Sequence, residues 1–303
     1  KVSVFAALGL VTKNRADHAS FMNFIESFFM VGILSGYFIF SAFVDDTNPA
    51  SAGWLNVYYA LAVLSFAALA LLSIARLDES GARPTEPKPL AAEFLGMIGL
   101  CARPLVQVFV ISAFLYVLIE QSIMSWLPTF NSRILHLSPS LSIQMASILA
   151  ASTALGRFTA GVVLRRFHWL PVLTVSLLAA AGLVLVSLPL ASNLSGAEVS
   201  SWRDAPLAAF VFPLIGICLS PIYPAINSVI LTALPLRQHA PMAGLIVVFS
   251  ALGGTSGSLI TGSLFEAFGG TTAFYFSLIP VTILLLALYQ LKNQAARAAS
   301  AAG

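Results

Sequence analysis

Eight apolar stretches, each long enough to cross a bilayer, constrain this chain more than any other feature. They run Ser20–Val44, Trp54–Ala75, Leu105–Phe130, Ser142–Leu164, Trp169–Ala191, Pro206–Leu234, Pro241–Phe268 and Thr271–Leu291. A spanning helix needs about 20 mostly apolar residues. In lipid a helix pairs its own backbone groups, which water cannot reach to solvate. Composition points the same way: 58% of residues are hydrophobic and 9% charged, against about 25% charged in soluble domains. A soluble protein could not cover that much apolar surface. The fold class is therefore an all-α membrane protein, a bundle of eight full transmembrane helices. The opening run KVSVFAALGLV is too short to span. It also lacks the basic region and cleavage site of a signal peptide, and reads as the tail of a helix.

Basic residues fix an expected orientation, because they collect on the cytoplasmic side. With Lys13 placed inside, Arg15, Arg76, Arg83, Lys88, Arg103, Arg157, Arg165, Arg166, Arg237, Lys292 and Arg297 all fall at or near the inside, and only Arg133 and Arg203 fall outside. The loop VDDTNPASAG after the first span is acidic and lies outside. The C-terminus is cytoplasmic, and the expected location is the inner (plasma) membrane of a bacterium. The polar, proline-rich stretch around RPTEPKP divides two spans from six. This gives residues 1–75 as the remainder of an N-terminal transmembrane half, 76–104 as a cytoplasmic inter-domain linker, and 105–303 as a C-terminal six-helix half. A faint internal echo supports the division: Met22 with Met242, Phe29 with Phe249, Tyr58 with Tyr275. Parallel repeats of six helices belong to one large transporter architecture. On that pattern the chain lacks roughly three helices and most of a fourth.

Few ionisable groups lie within the spans. Glu120 sits mid-span in FLYVLIEQSIMSWLPTF, beside Gln121. A charge there costs about +2.5 to +3.5 kcal/mol on the insertion scale, and such residues usually face an internal cavity. Burial disfavours the ionised form of a carboxyl, so a buried Glu can take a proton on one side of a membrane and release it on the other. The bland reading is a structural hydrogen bond to a neighbouring helix. Glu26 lies in the inner third of the first span and shares a helix face with Asn23. Glu120 and Glu26 are the candidates for proton coupling. Arg157, in LGRFTAGVVLRRF, has three readings: snorkelling to the cytoplasm, pairing with a carboxylate at an inner gate, or holding an anionic solute. Arg165 and Arg166 join it as inner-gate candidates.

The sixth span carries PLIGICLSPIYPAINS. Pro221 and Pro224 each free a carbonyl, and Tyr223 and Asn227 share a face. Broken helices occur at membrane depth where the backbone lines a cavity; the alternative is a simple kink with a packed tyrosine. A ring face beside amides suits a sugar, whose C–H groups stack while its hydroxyls bond. The candidate substrate contacts are Asn23, Glu120, Gln121, Trp126, Tyr223 and Asn227. Small residues recur at spacings of four at Ser250, Gly254, Ser258 and Gly262, at Ala146, Ala150 and Ala154, and at Gly32 and Gly36. Such ridges let helices approach closely.

Other classes fail on their chemistry. Gly254-Thr-Ser-Gly257 has the form of an intramembrane serine protease motif, but His18, His136, His168 and His239 all lie at helix ends or in loops, where none can act as base. No metal, P-loop or dinucleotide motif appears, so no enzyme activity, metal or cofactor is expected. Cys101 and Cys218 form neither a disulfide framework nor a CxxC site. A net charge of +3 gives no reason to expect nucleic acid.

The segments NFIESFFMVG, IEQSIMSW, LGRFTAGVVLRRF and SPIYPAINS, with GRFT before a basic pair the most specific, resemble the major facilitator superfamily, and within it the fucose–galactose–glucose proton symporter family. The resemblance implies that the eight spans are helices five to twelve of that bundle, N-terminally truncated. It implies that Tyr223 is a sugar-pocket tyrosine, and that the Asn23–Glu26 region and Glu120–Gln121 are polar sites. One departure is the loop between the eighth and ninth family helices, which has Arg165, Arg166 and His168 but no Asp. The expected function is secondary active transport, a proton-coupled symport of a neutral sugar or similar small polar solute by alternating access. A proton-coupled drug or metabolite exporter is the alternative within transporters; a membrane enzyme or non-transporting scaffold is the rival of another class. The expected partners are the solute, protons and the lipid bilayer, with the protein a monomer.

Overall fold

A computed structural model describes residues 29, 31–48, 50–74, 90–164, 166–191, 198–235 and 238–302. Every regular element among them is helical, apart from one isolated β-bridge. Seven helices are long and apolar enough to cross a membrane, and an eighth apolar helix, α1 (Val31–Ser41), is shorter. The first expected span, Ser20–Val44, is thus seen only in its later part; its beginning, with Asn23 and Glu26, lies outside the described residues.

The chain divides into two compact units, Lys1–Lys88 and Pro89–Gly303. In the first, α1 is followed by a turn in which Asp45 accepts hydrogen bonds from Thr47 N (2.9 Å), Thr47 Oγ1 (2.6 Å) and Asn48 N (3.2 Å). The Thr47 hydroxyl and these amides hold the exposed Asp45 carboxyl below its ordinary range. A short 3-10 turn, Ala52–Asn56, leads into α2 (Val57–Ile74), whose apolar side chains are mostly exposed.

The second unit opens with α3 (Leu90–Leu100), inside the stretch expected to be linker. LAAEFLGMIGL is apolar enough to pack: Met97 lies against Gly244. Five spans and a split sixth follow: α4 (Pro104–Arg133), α5 (Pro139–Val163), α6 (Trp169–Ser187), α7 (Leu207–Leu231), α8 (His239–Phe268), then α9 (Gly270–Tyr275) and α10 (Leu278–Ala302). The last expected span, Thr271–Leu291, is therefore two helices. Helix starts follow local chemistry. Pro104 and Pro139 occupy first-turn positions, where a missing N–H costs nothing, and Ser138 caps α5. Gly269, at φ 84°, separates α8 from α9 in a conformation that suits glycine.

Helix α4 is the centre of this unit and packs on α5, α7, α8 and α10. Phe109, Ala113, Tyr116, Ile119, Ile123, Leu127 and Phe130 recur at helical spacing and are all buried. At one end Phe130, Phe212 and Phe274 form an aromatic cluster with centroids 4.9–5.6 Å apart. The same end is tied by backbone bonds between loops, Ser138 N to Val199 O (2.8 Å) and Val199 N to His136 O (2.9 Å). At the opposite end Arg103 Nη1 donates to Gln238 Oε1 at 2.8 Å. Helix α7 is interrupted: Phe212–Leu214 is 3-10, Ile215–Leu219 is α-helical, and regular helix resumes at Ile222 after Pro221. Pro213, Pro221 and Pro224 lack the N–H a continuous helix needs.

Within this unit Ala146 and Ala150 of the expected ridge on α5 are buried, and glycines beside the expected ridges make close contacts on two helices. On α8 the glycines set against the backbone of α4 are Gly253 and Gly257, which lie against the carbonyls of Phe114 and Leu118. Gly254 and Gly262 instead make room for the side chains of Gln121 and Trp126. Between α5 and α7 one tight contact is at Gly156, whose Cβ would stand 2.6 Å from Ile217 O; Gly216 answers from α7, its Cβ 2.7 Å from Leu149 O.

Candidate functional site

Glu120 lies near the middle of α4, whose apolar run keeps the helix going through Pro128 to Arg133. Tyr116 is four residues earlier and so one turn away on the same face. Its hydroxyl donates to Glu120 Oε1 at 2.8 Å, and the Tyr116 side chain is 1% exposed. Arg157 of α5 brings Nη2 to 4.0 Å from the same carboxylate oxygen, both side chains being about a quarter exposed. At about 4 Å an ion pair gains roughly 4 kcal/mol of Coulomb energy for an effective dielectric near 20, offset by the cost of drawing both charges out of water. The pair and the tyrosine together keep a carboxylate tolerable at this depth.

The cluster extends to two more helices. Tyr116 stacks on Tyr223 of α7, with centroids 5.5 Å apart and planes 22° from parallel. The Tyr223 hydroxyl lies 3.0 Å from Ser250 Oγ of α8, either atom serving as donor. One connected group of side chains, Arg157, Glu120, Tyr116, Tyr223 and Ser250, thus spans α5, α4, α7 and α8. Asn227, one turn beyond Tyr223, has a buried Oδ1 with no donor among the described residues.

The remaining expected residues fall elsewhere. Gln121, about 100° around the helix from Glu120, packs on α8 at Gly254. Trp126 donates its Nε1–H to Ser258 O at 2.8 Å, stacks near Phe265 at 5.4 Å and covers Gly262. These are contacts of the α4–α8 packing seam. Arg157 stands with Glu120, a carboxylate pairing of the kind its sequence context offered. It is only six residues from the end of α5, about 9 Å of rise, and its long side chain spans much of that distance. Arg166 is exposed beyond the end of α5, while Asn23, Glu26 and Arg165 lie outside the described residues. Sequence reasoning missed Tyr116 and Ser250 as members of the site. The four-residue spacing from Glu120 was the available signal for Tyr116; for Ser250 there was none beyond its place on a small ridge.

The Major Facilitator Superfamily model matches residues 2–201. No curated protein is significantly similar in sequence. Among solved structures, the fold is similar to that of the E. coli fucose:proton symporter FucP, with TM-score 0.52 and 17% identity over 78% of this chain and 54% of that one. It is also similar to a bacterial homolog to the human lysosomal transporter Spinster, with TM-score 0.58 and 17% identity over 96% of this chain and 72% of that one. The chain spans about half the length of the fucose symporter. With its apolar helices and this match over most of its length, the chain is a multi-pass membrane protein that belongs to the Major Facilitator Superfamily, a family of transporters rather than enzymes.

Proposed function

We propose that this chain carries a neutral sugar or similar small polar solute together with protons, by alternating access, and that Glu120 is the coupling carboxylate. The observation that carries this reading is the Tyr116–Glu120–Arg157 contact at the middle of a spanning helix. The Tyr116 donor and the Arg157 cation both favour the charged carboxylate, so a conformation that withdraws either would favour the protonated form. The part-exposed Tyr223 ring, backed by the buried Tyr116, supports a sugar, because a ring face covers C–H surfaces. The buried Asn227 Oδ1 is an acceptor suited to a solute hydroxyl. Fold similarity to a fucose:proton symporter supports the same class. Substrate-dependent proton flux in proteoliposomes tests it, and flux absent for every monosaccharide offered would count against the sugar.

A second reading is favoured by Arg157 alone. A guanidinium at the site is a ready partner for a carboxylate, which makes a proton-coupled metabolite carrier or exporter of an organic anion the alternative. Counterflow separates the two: inhibition by monosaccharides supports the first, inhibition by small carboxylates the second.

Tyr223→Ala is expected to weaken solute affinity about tenfold, roughly the loss of one aromatic contact, while Tyr223→Phe keeps most of it. The Phe variant loses the bond to Ser250 but keeps the ring on Tyr116. Unchanged affinity in Tyr223→Ala, measured by isothermal titration or counterflow, would leave this ring a packing residue.

The proposed orientation places the Pro84–Pro89 stretch and the C-terminus inside and the Asp45 turn outside, at the inner membrane, with the linker joining two transmembrane halves. In intact cells, with Cys101 and Cys218 replaced, an impermeant thiol reagent is expected to label Thr47→Cys and spare Ser80→Cys. The reverse pattern inverts the orientation.

A further inference from the structure

A cleft of about 420 Å³ opens between α5, α6 and α7, lined by none of the residues of the Glu120 cluster. Its wall is almost wholly apolar, formed by Val163, Phe167, Pro171, Val175, Cys218 and Pro221 among others. It exists because the helices around it are cut away. Ala160 puts little bulk on its floor, Gly156 lets α5 and α7 close up behind it, and α7 is interrupted beside it at Pro221. The one threonine on α5 that lines it, Thr159, turns its hydroxyl to its own helix, at 3.1 Å from Leu155 O and 3.0 Å from Gly156 O. Phe167 and Val175 are each more than 60% exposed, so the cleft faces outward.

The end of the cleft carries the opposite chemistry. Phe167 sits in the turn that joins α5 to α6, where two spans meet the membrane surface, and its neighbours are Arg166 and His168, with Arg165 one residue earlier in the sequence. Arg166 is exposed and makes no ion pair among the described residues. His168 caps α6 by accepting Leu170 N–H at Nδ1, 3.4 Å away. An acceptor Nδ1 leaves the proton on Nε2, which is then a donor. Trp169 follows, an aromatic at the level where such side chains anchor to the interface. An apolar channel that ends in guanidinium and imidazole donors at the headgroup level matches one kind of molecule: an acyl chain attached to an anionic phosphate. Basic pockets between transmembrane helices bind anionic headgroups for this reason.

We propose that this cleft is a binding site for an anionic phospholipid, with an acyl chain lying along Val163, Val175 and Cys218 and the phosphate held by Arg166 and His168. The site is separate from the transport cluster and does not depend on which solute is carried.

Trp169 is the reporter. In a variant with Trp54, Trp126 and Trp202 changed to Phe, reconstituted in phosphatidylcholine vesicles, brominated phosphatidylglycerol is titrated against brominated phosphatidylcholine. The expected result is half-maximal quenching at a several-fold lower fraction of the anionic lipid, on the order of fivefold for each basic residue engaged. Arg165→Gln with Arg166→Gln should remove the preference. Val175→Phe, which fills the cleft, should weaken quenching by both lipids, whereas Leu185→Phe, exposed elsewhere on α6, should not. Equal quenching by the two lipids, or a preference that survives loss of both arginines, would overturn the proposal. So would a preference untouched by Val175→Phe, which would mean a surface charge effect with no chain in the cleft. Native mass spectrometry of the unsubstituted protein gives a check free of the tryptophan changes: retained phosphatidylglycerol supports the site, while lipid-free dimers would show a second copy covering the cleft and would overturn it.

Discussion

Glu120→Gln is expected to abolish proton-driven accumulation of solute and to leave energy-independent exchange running. The side chain keeps its size, and its amide oxygen still accepts from Tyr116, whose hydroxyl stands 2.8 Å from the native carboxylate. What it loses is titration, and with it the charge that faces Arg157 at 4.0 Å. A gradient moves a conformational equilibrium only through differential affinity for the two states. A site that binds protons equally in both, or not at all, shifts nothing. With glutamine at position 120 the accumulation ratio under an imposed pH gradient should fall to that of passive equilibration, while counterflow across proteoliposomes stays within a few-fold of the native rate. If the variant still concentrates solute uphill, the coupling carboxylate lies elsewhere, and Glu120 is a binding or structural residue.

The route from residues to site was partly legible in the sequence, and the gaps have physical causes. Span positions in the second unit follow from length and hydropathy, and the lipid constraint makes that signal strong. The prolines of α7 gave away its interruption, because the missing N–H acts locally whatever surrounds it. Tyr116 did not announce itself. An aromatic in an apolar span looks like core, and only its hydrogen bond to Glu120 separates it from Phe109 or Phe130, which are equally buried. The sequence sets Arg157 near the inner end of its span with a carboxylate partner as one reading, but which carboxylate its long side chain reaches could not be read from sequence position. Helix α3 was hidden in a polar, proline-rich stretch whose last part, LAAEFLGMIGL, is apolar and short of a span's length. On α8 the sequence offered Ser250, Gly254, Ser258 and Gly262 as the close-packing ridge, but among its glycines Gly253 and Gly257 are the ones set against the backbone of α4. A ridge and its neighbour differ by one residue, or about 100° of rotation. That rotation is set by the partner helix, which spacing alone does not contain.

That one-residue offset leads to the largest structural effect expected of a single substitution, Gly257→Leu. A Cβ at position 257 would press on the carbonyl oxygen of Leu118 and stand 2.9 Å from both Leu118 Cα and Ser122 Oγ. Two of those three atoms are backbone of α4, the central helix, and cannot turn aside as a flexible side chain would. Gly253 repeats the geometry one turn earlier, against Phe114. The same seam holds the bond from Ser122 Oγ to Gly257 O at 3.0 Å and that from Trp126 Nε1 to Ser258 O at 2.8 Å. Pushing α8 outward to make room would stretch both. Close packing and interhelical hydrogen bonds are what hold helices together where lipid is as apolar as the side chains, so nothing nearby compensates. Overpacking costs about 1–3 kcal/mol, or more where the backbone must shift, and for a unit of this size each kcal/mol lowers Tm by about 2–4 °C. Gly182→Leu is the matched control, since a Cβ at Gly182 in α6 meets nothing within 4 Å. In detergent, Gly257→Leu should melt about 5 °C or more below the native protein and give a lower folded yield, with Gly182→Leu close to native. Equal melting of the two variants would show that α4 and α8 do not approach as closely as the Gly253–Gly257 seam requires.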